Sequence, residues 1–417
     1  MSTWHRTYWS VFVANLVTAV GMMSFLPFFP SLLEEMGLED QKAISRWAGV
    51  VFGAAPLAAA LMGPVWGSIG DRIGRKVMVL RAMLAITLFV GCMGFVRTPW
   101  ELLVLRFCQG MFSGFVPPSI TLVSISAPKE RQGRVAGSLQ AAVAAGAIVG
   151  PLMGAWVQSV WGMRSIFTVV SVLSGLGALC VLLFAEEDRE LRTAFEGFAP
   201  KRLLGAVWQD LKLLFRKPRL RATLVVLFVV QFGLGATNPQ LELFVETLGL
   251  EEAGVTLSGE ERRSLTAWLF TAFAAAGVVS TSVWGSLGDR IGHARVMVTA
   301  SLAAAVVLGL HAFVTAYALV LGVRILLGLA STGPNASAWG LAAEETTPET
   351  RGGAFGTIFS ARSLAVSIGS MTGGFLASLV GIRMLFALAA VAVCCALVAA
   401  RGAWGTAEQP ERGHGVV

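Results

Sequence analysis

Charged residues are scarce in this sequence, at 14% of its 417 positions, whereas soluble domains carry about 25%. The chain also contains only five cysteines and four histidines. The cysteines all fall within apolar stretches, which excludes a disulfide framework or a thiolate metal site built from loops. The histidines are dispersed along the chain, and no convergent nucleophile or metal cluster is present in the pattern. We therefore expect no metal and no enzymatic activity.

Long apolar segments take the place of the missing charge. Hydrophobic residues make up 55% of the chain, and its mean hydropathy is +0.71. A membrane-spanning helix needs about 20 predominantly apolar residues. The segments that meet this requirement are 8–30, 47–69, 77–96, 100–122, 135–160, 165–185, 222–245, 264–287, 295–314, 317–341, 354–378 and 383–402. The sequence therefore predicts an all-α membrane protein with twelve transmembrane helices.

Lysine and arginine are concentrated in alternate connections between the predicted spans. If both termini are cytoplasmic, the cytoplasmic segments carry roughly three times as many of these residues as the opposite loops. The net charge of +7 is thus explained by topology, and no nucleic-acid partner is expected. We predict a multi-pass protein of a bacterial-type inner (plasma) membrane with cytoplasmic termini. Residues 201–221 have the pattern of an amphipathic helix on the inner membrane surface.

An internal repeat relates the two halves of the chain. Residues 65–74 return as residues 283–292, with nine of the ten positions identical. At the same spacing, Arg106 returns as Arg324. Such a repeat predicts two pseudo-symmetric six-helix bundles with a shared cavity between them. We assign the bundles to 1–188 and 222–417, with 189–221 as a cytoplasmic linker.

The repeated segment carries the pattern of a known family. The residues of its two copies that matter here are Gly67, Asp71, Arg72, Gly74, Arg75, Asp289 and Arg290. The first copy resembles the signature loop between spans two and three of the major facilitator superfamily. This resemblance implies that the loop clasps the two halves together, with Asp71 as the clasp acid supported by Arg72 and Arg75. The second copy has His293 in place of Arg75, so a weaker clasp is expected there.

Two further motifs indicate a branch of that family. Arg106 in the fourth span resembles an arginine that the family links to proton movement. In the fifth span, Gly146, Gly150 and Gly154 follow one another at four-residue spacing, and Pro151 can bend the helix. This stripe resembles the antiporter motif of drug-exporting branches, where it packs against the eighth span. The resemblance therefore implies a drug:proton antiporter with twelve spans.

A transporter of this kind needs a largely apolar cavity with few polar anchors. Our candidates for its lining are Asn15, Met22, Phe25, Phe112, Phe115, Gln231, Asn238, Asn335, Trp339 and Arg362. Arg362 lies roughly two turns inside the eleventh span. It could bind the anionic group of a substrate, or it could neutralise an acid or backbone carbonyls; we favour the structural role.

The residue that carries the coupling proton is less evident from the sequence. Asn238 stands in a region of the seventh span where related exporters have a glutamate, and spans one and four contain no deep acid. Glu242, one turn later, is the best remaining candidate. We expect Asp71 and Glu242 to contribute to coupling with support from Arg106. The alternative is that Glu242 is a solvated acid at the outer end of its span.

These patterns favour a secondary transporter that exports hydrophobic drugs or amphiphiles by alternating access. We expect a small-molecule substrate, contact with membrane lipid, a monomer, and no cofactor, because the proton gradient supplies the energy. The alternative within transport is a dedicated metabolite exporter or importer of the same fold. A membrane-embedded enzyme and a non-transporting membrane sensor are the remote alternatives.

Overall fold

The computed structural model describes residues 3–187, 205, 212, 215–248 and 257–405 of the chain. The predicted amphipathic helix 201–221 lies mostly outside these residues. The first half forms α1 (Thr3–Phe25), α2 (Phe29–Glu35), α3 (Gln41–Ile73), α4 (Arg75–Met93), α5 (Pro99–Phe112), α6 (Val116–Ser126), α7 (Gln132–Trp161) and α8 (Ser165–Phe184). The second half forms α9 (Pro218–Thr237), α10 (Leu241–Glu246), α11 (Gly259–Ile291), α12 (His293–Leu310), α13 (Tyr317–Glu345), α14 (Pro348–Val380) and α15 (Ile382–Gly405).

Eleven helices or helix pairs among the described residues are long and apolar enough to cross a membrane. The twelfth span is the fourth in the chain, and it is divided into α5 and α6. Its break lies at 113–115, where Gly114 adopts a φ of +100°, a conformation that glycine tolerates without steric cost. Pro117 and Pro118 open α6 and lack the N–H groups that would continue the preceding helix. The predicted span over 100–122 is therefore present but broken at 113–115, and the count of twelve spans is confirmed.

The first spans of the two halves are broken in the same way. In each, a 3₁₀ segment that contains a proline, Leu26–Phe28 or Asn238–Gln240, separates the long helix from a short one. The two short helices are α2 and α10. Because proline cannot donate a backbone hydrogen bond, the chain can change direction at these points. These bends bring α2 and α10 together between the two halves.

The helices pack as two six-helix bundles, as the repeat predicts. In the first bundle, α1 packs against α7 and α8, while α4 packs against α5 and α8. In the second, α11 packs against α13, and α9 packs against α14 and α15. The bundles meet chiefly through α3 against α14 and α7 against α11. At the first of these interfaces, Gly49 and Gly53 leave no room for a methyl group beside the carbonyl oxygens of Ser370 and Ser367.

Candidate functional site

Polar contacts join the two bundles at one end of the molecule. Ser45 Oγ donates to Gln240 Oε1 over 2.7 Å, and Gln41 Nε2 donates to Glu246 Oε2 over 2.8 Å. Arg46 Nε donates to Ser378 Oγ over 2.9 Å. We call this end, which carries the connection 36–40, the closed end. The opposite end, which carries Thr3 and Gly405, is the termini end, and the hydrogen bonds and ion pairs between two described residues there stay within one bundle.

A buried carboxylate lies at the centre of the closed end. Glu242, on α10 of the second bundle, is 1% exposed. Its Oε2 accepts a hydrogen bond from the backbone N–H of Ser31 over 3.2 Å, and its Oε1 accepts one from Ser31 Oγ. Ser31 belongs to α2 of the first bundle. Glu242 therefore holds the two bundles together through two hydrogen bonds to one residue.

Arg262 connects this carboxylate to two others. Its Nε lies 3.6 Å from Glu242 Oε1, and its Nη1 forms an ion pair with Glu246. Its Nη2 donates to Ser31 Oγ over 3.0 Å and to Glu34 Oε2. We call Ser31, Glu34, Glu242, Glu246 and Arg262 the Glu242 cluster. One guanidinium thus faces three carboxylates, and if all are ionised the cluster carries a net charge of −2.

Local capping explains how Arg262 reaches this position. Ser258 Oγ accepts a hydrogen bond from the backbone N–H of Glu261 over 3.2 Å, and the Glu261 side chain accepts one from the Ser258 N–H over 2.9 Å. This capping box fixes the first turn of α11. Arg262 lies in that first turn, beside the short helices α2 and α10. The helix start thereby places the cation against acids from both bundles.

The burial of Glu242 excludes one of the two interpretations of this residue. The alternative of a solvated acid at the outer end is wrong, because the carboxylate is enclosed between the bundles. The sequence analysis did not identify Ser31, Glu34 or Arg262. The sequence feature that could have drawn attention to Arg262 is the capping pattern from Ser258 to Glu261 directly before it. That pattern indicates a helix start, but it does not indicate the partner in the other half.

The repeated arginines Arg106 and Arg324 are both buried inside their bundles. Arg106 donates to Gln109 Oε1 over 2.7 Å and to the Val51 carbonyl oxygen over 3.4 Å. Arg324 Nη2 donates to Asn238 Oδ1 over 3.2 Å. Neither arginine has a carboxylate partner among the described residues. Asn238 is therefore a partner of a buried arginine in this structure.

The other predicted cavity residues have different environments in the structure. Asn15 and Phe25 are fully buried inside the first bundle, so neither borders open space in this state. Asn15 Oδ1 accepts from Ser119 Oγ over 2.9 Å, and Phe25 lies beneath the Arg106 guanidinium. Met22 Sδ faces Gln109, Phe112 stacks on Phe89, and Trp339 contacts Phe355. Phe115 is 9% exposed, and Asn335 Oδ1 is buried without a described partner. Gln231 and Arg362 are discussed below.

The glycine stripe of α7 faces a different helix from the one expected. Gly146, Gly150 and Gly154 lie against the backbone and side chains of α1 in their own bundle, where a methyl group at any of them would clash. The prediction that the stripe packs against the eighth span is wrong for this structure. Helix α7 does contact α11, but through Ile148, whose carbonyl oxygen accepts from Thr271 Oγ1 over 2.8 Å. Pro151 lies inside the intact helix.

The predicted clasp lies at the termini end. The structure does not describe the surroundings of Gly67 or the side chains of Asp71 and Arg72. The backbone of α3 remains helical through this segment. The backbone turns at Gly74, with a φ of +117°. The Glu187 carboxylate accepts from the backbone N–H groups of Arg75 and Lys76, over 2.5 and 3.3 Å. An acid from the end of the sixth span thus caps α4.

The second copy of this segment is built differently. Gly292 provides the turn, with a φ of +94°. His293 Nε2 lies 3.5 Å from Asp289 Oδ1 and 3.8 Å from Glu344 Oε1. Arg290 is exposed. Over the described residues, no group of three or more His, Cys, Asp or Glu side chains has the geometry to hold a metal ion.

Comparisons with known proteins match this architecture. The family model described as Major Facilitator Superfamily matches residues 11–259 and 262–415. The multi-drug resistance efflux pump PmrA of Streptococcus pneumoniae is 31% identical over 287 residues, which cover 69% of this chain and 68% of that protein. Multidrug resistance protein MdtG of Proteus mirabilis is 26% identical over 413 residues, which cover 99% and 98%. The solved structure of the nucleoside transporter NupG has a TM-score of 0.75 at 16% identity, covers 95% of this chain and 100% of its own, and shows a shared fold.

Proposed function

Because the chain belongs to the Major Facilitator Superfamily, we propose that it exports hydrophobic drugs or amphiphiles in exchange for protons by alternating access. It is a multi-pass membrane transporter and not an enzyme. The efflux pumps PmrA and MdtG, to which it is similar along most of its length, support export as the direction. The proton gradient supplies the energy, and the transporter acts as a monomer without a cofactor.

The orientation of the structure follows from the charge bias. With both termini in the cytoplasm of a bacterial cell, the termini end faces inward and the closed end faces outward. The structure then corresponds to a state that is closed to the outside and accepts substrate from the cytoplasm. In other members of the family, the loop that corresponds to the one containing Asp71 holds the two halves together at this end when the transporter is open to the outside. We propose that role for Asp71, with Arg72 and Arg75, and a supporting role in coupling for Arg106.

The burial of Glu242 between the bundles is the observation that carries this proposal. When the closed end opens, water from the outside reaches Glu242, which can then bind a proton. A neutral carboxyl group suits the closed arrangement, because one oxygen can donate to Ser31 Oγ while the other accepts the Ser31 N–H. Burial of an additional uncompensated charge would instead be costly. Proton binding from the outside therefore favours closure, and proton release to the inside completes the exchange.

Replacement of Glu242 tests this mechanism directly. Glutamine can donate to Ser31 Oγ and accept from the Ser31 N–H, so Glu242→Gln reproduces the neutral state and cannot bind or release a proton. In proteoliposomes, we expect export driven by an imposed proton gradient to fall at least about tenfold, because coupling requires titration of this group. Exchange of labelled substrate without a gradient should continue at near the original rate.

The matched control is Glu246→Gln, which alters a more exposed acid of the same cluster. We expect this variant to retain most gradient-driven export. Full gradient-driven export by Glu242→Gln would remove Glu242 from the mechanism. Loss of both export and gradient-free exchange would instead assign it a structural role.

A further inference from the structure

Arg362 differs from the other arginines inside the spans. Arg81 donates to the Ser113 carbonyl oxygen and lies over the Trp66 ring, Arg106 donates to Gln109, and Arg324 donates to Asn238. Arg362 forms no hydrogen bond, ion pair or ring contact with any described residue. A cation inside a membrane span is costly unless it faces a partner or a wet cavity. The expectation that Arg362 neutralises an acid or backbone carbonyls is therefore wrong for this structure.

Arg362 and its neighbours on α14 are only partly buried. The residue lies about 21 Å along α14 from its start at the termini end, near the middle of the membrane. Residues 359–364 are all half-buried or exposed, whereas Ala365, Ser367, Gly369 and Ser370 in the next turns are buried. The close glycine contacts with α3 end at Ser367, nearer the closed end. Arg362 thus lies where the tight contact between the bundles ends.

A second unpaired polar side chain lies beside it. Helices α9 and α14 both begin at the termini end and run parallel, and Gly235 packs directly against Val366. Gln231 and Arg362 each lie four residues, one helical turn, before these two contact residues. They therefore occupy neighbouring positions on facing helices. Gln231 is 7% exposed, and it forms no hydrogen bond with a described residue.

No acid of the adjacent spans is available to pair with Arg362. The sequence contains no Asp or Glu between Asp40 and Asp71 in α3, between Pro218 and Thr237 in α9, or between Thr350 and Val380 in α14. A guanidinium and a carboxamide on facing helices provide several N–H donors for an oxyanion. The anionic group of a bound molecule would supply the missing counter-charge.

We infer that Arg362 and Gln231 bind the anionic group of a substrate, so that the exported compounds include amphiphiles with a carboxylate or sulfonate group. This inference rests on the proposed transport function and specifies its substrate class. The apolar part of such a molecule would lie among the apolar side chains of the cavity. The charged group would face the guanidinium near the middle of the membrane.

A matched pair of ligands separates charge recognition from general hydrophobic binding. Dansyl-undecanoic acid and its methyl ester share the same apolar body, and only the acid carries a negative charge. Binding of both is measured by fluorescence titration on the purified full-length protein in detergent. The wild-type protein should prefer the acid, and this preference should fall when salt is raised. Equal affinity for the acid and the ester would overturn the inference.

Three substitutions at Arg362 and Gln231 test the site. Arg362→Gln should weaken acid binding about ten- to a hundredfold, the usual range for loss of a charged hydrogen bond, and leave ester binding unchanged. Arg362→Lys keeps the charge and should restore most of the acid binding. Gln231→Glu should abolish the preference for the acid without removing the arginine, because its carboxylate would pair with Arg362.

The outcomes of this experiment are separable from those for Glu242. Binding in detergent needs no proton gradient, so it can succeed even if Glu242 plays no part in coupling. If Arg362→Gln weakens acid and ester equally, Arg362 is a structural residue and the inference fails. If Gln231→Glu leaves the preference for the acid intact, the two side chains do not form one site, and the inference also fails.

Discussion

The two ends of the molecule are built on different principles. At the closed end, bent spans bring short helices from both bundles together, and polar side chains cross between the bundles. At the termini end, the described polar contacts stay within one bundle, as in the Glu187 cap on α4 and the pairing of Lys217 with Glu345. The closed end therefore combines an interface with a titratable group. We propose that proton binding at this end controls its opening.

A steric block at the closed end should have the largest effect. Gly49→Val places side-chain atoms against the Ser370 backbone of the other bundle, which cannot move aside easily. We expect export to fall about a hundredfold, because overpacking a tight contact disfavours closure by several kcal/mol. Dye export from whole cells measures this effect.

Gly63→Val is the matched control on the same helix. No atom lies within 4 Å of a methyl group at Gly63, which lies nearer the termini end. This variant should export normally. If both variants lose export equally, the loss does not depend on the closed end.

Loss of the cation in the Glu242 cluster should have the next largest effect. In Arg262→Gln, three carboxylates face one another without a positive charge. Closure then requires additional protons, so we expect export to fall about tenfold at neutral external pH and to recover partly at acidic pH. Arg262→Lys should retain a dependence of export on external pH close to that of the wild type. An Arg262→Gln profile with unchanged shape would contradict this account.

Removal of one hydroxyl should have a smaller effect. Ser31→Ala deletes the Oγ contacts with Glu242 and Arg262 but keeps the backbone N–H contact with Glu242, and the guanidinium keeps its carboxylate partners Glu34 and Glu246. One net hydrogen bond is worth about 1 kcal/mol, so we expect gradient-driven export to decrease about fivefold. Ser31→Thr should preserve the contact and most of the activity. Initial rates in proteoliposomes measure both variants.

The smallest effect should come from a contact at the closed end outside the cluster. Arg46→Ala removes a hydrogen bond to Ser378 and a contact with the Phe375 ring. Because Arg46 is partly exposed, we expect a decrease of only about twofold and no shift in the pH profile. A pH shift as large as that of Arg262→Gln would show that the cluster is not the specific sensor.

Local patterns explain which features could be predicted from the sequence. The twelve spans follow from hydropathy, and the pairing of two bundles follows from the repeat of residues 65–74. Glu242 could be identified as the best available acid, because spans one and four contain none. Its burial could not be predicted, since that depends on Ser31 and Arg262 approaching it from separate helices. The same limitation applies to the glycine stripe Gly146, Gly150 and Gly154. The spacing of these glycines indicates close packing, but it does not indicate which helix they face.

The central claim is that protonation of Glu242 closes the outer end, and a distance between the two bundles tests it most directly. Spin labels are attached at Glu39→Cys and Glu260→Cys, both exposed and located on opposite bundles. The distance between the labels is then measured by pulsed electron paramagnetic resonance in lipid, at acidic and alkaline pH. The account predicts mainly a short distance at acidic pH, a growing longer population as pH rises, and, in Glu242→Gln, the acidic-pH distance distribution at every pH. A pH response of the same size in Glu242→Gln and in the protein with native Glu242 would contradict the account.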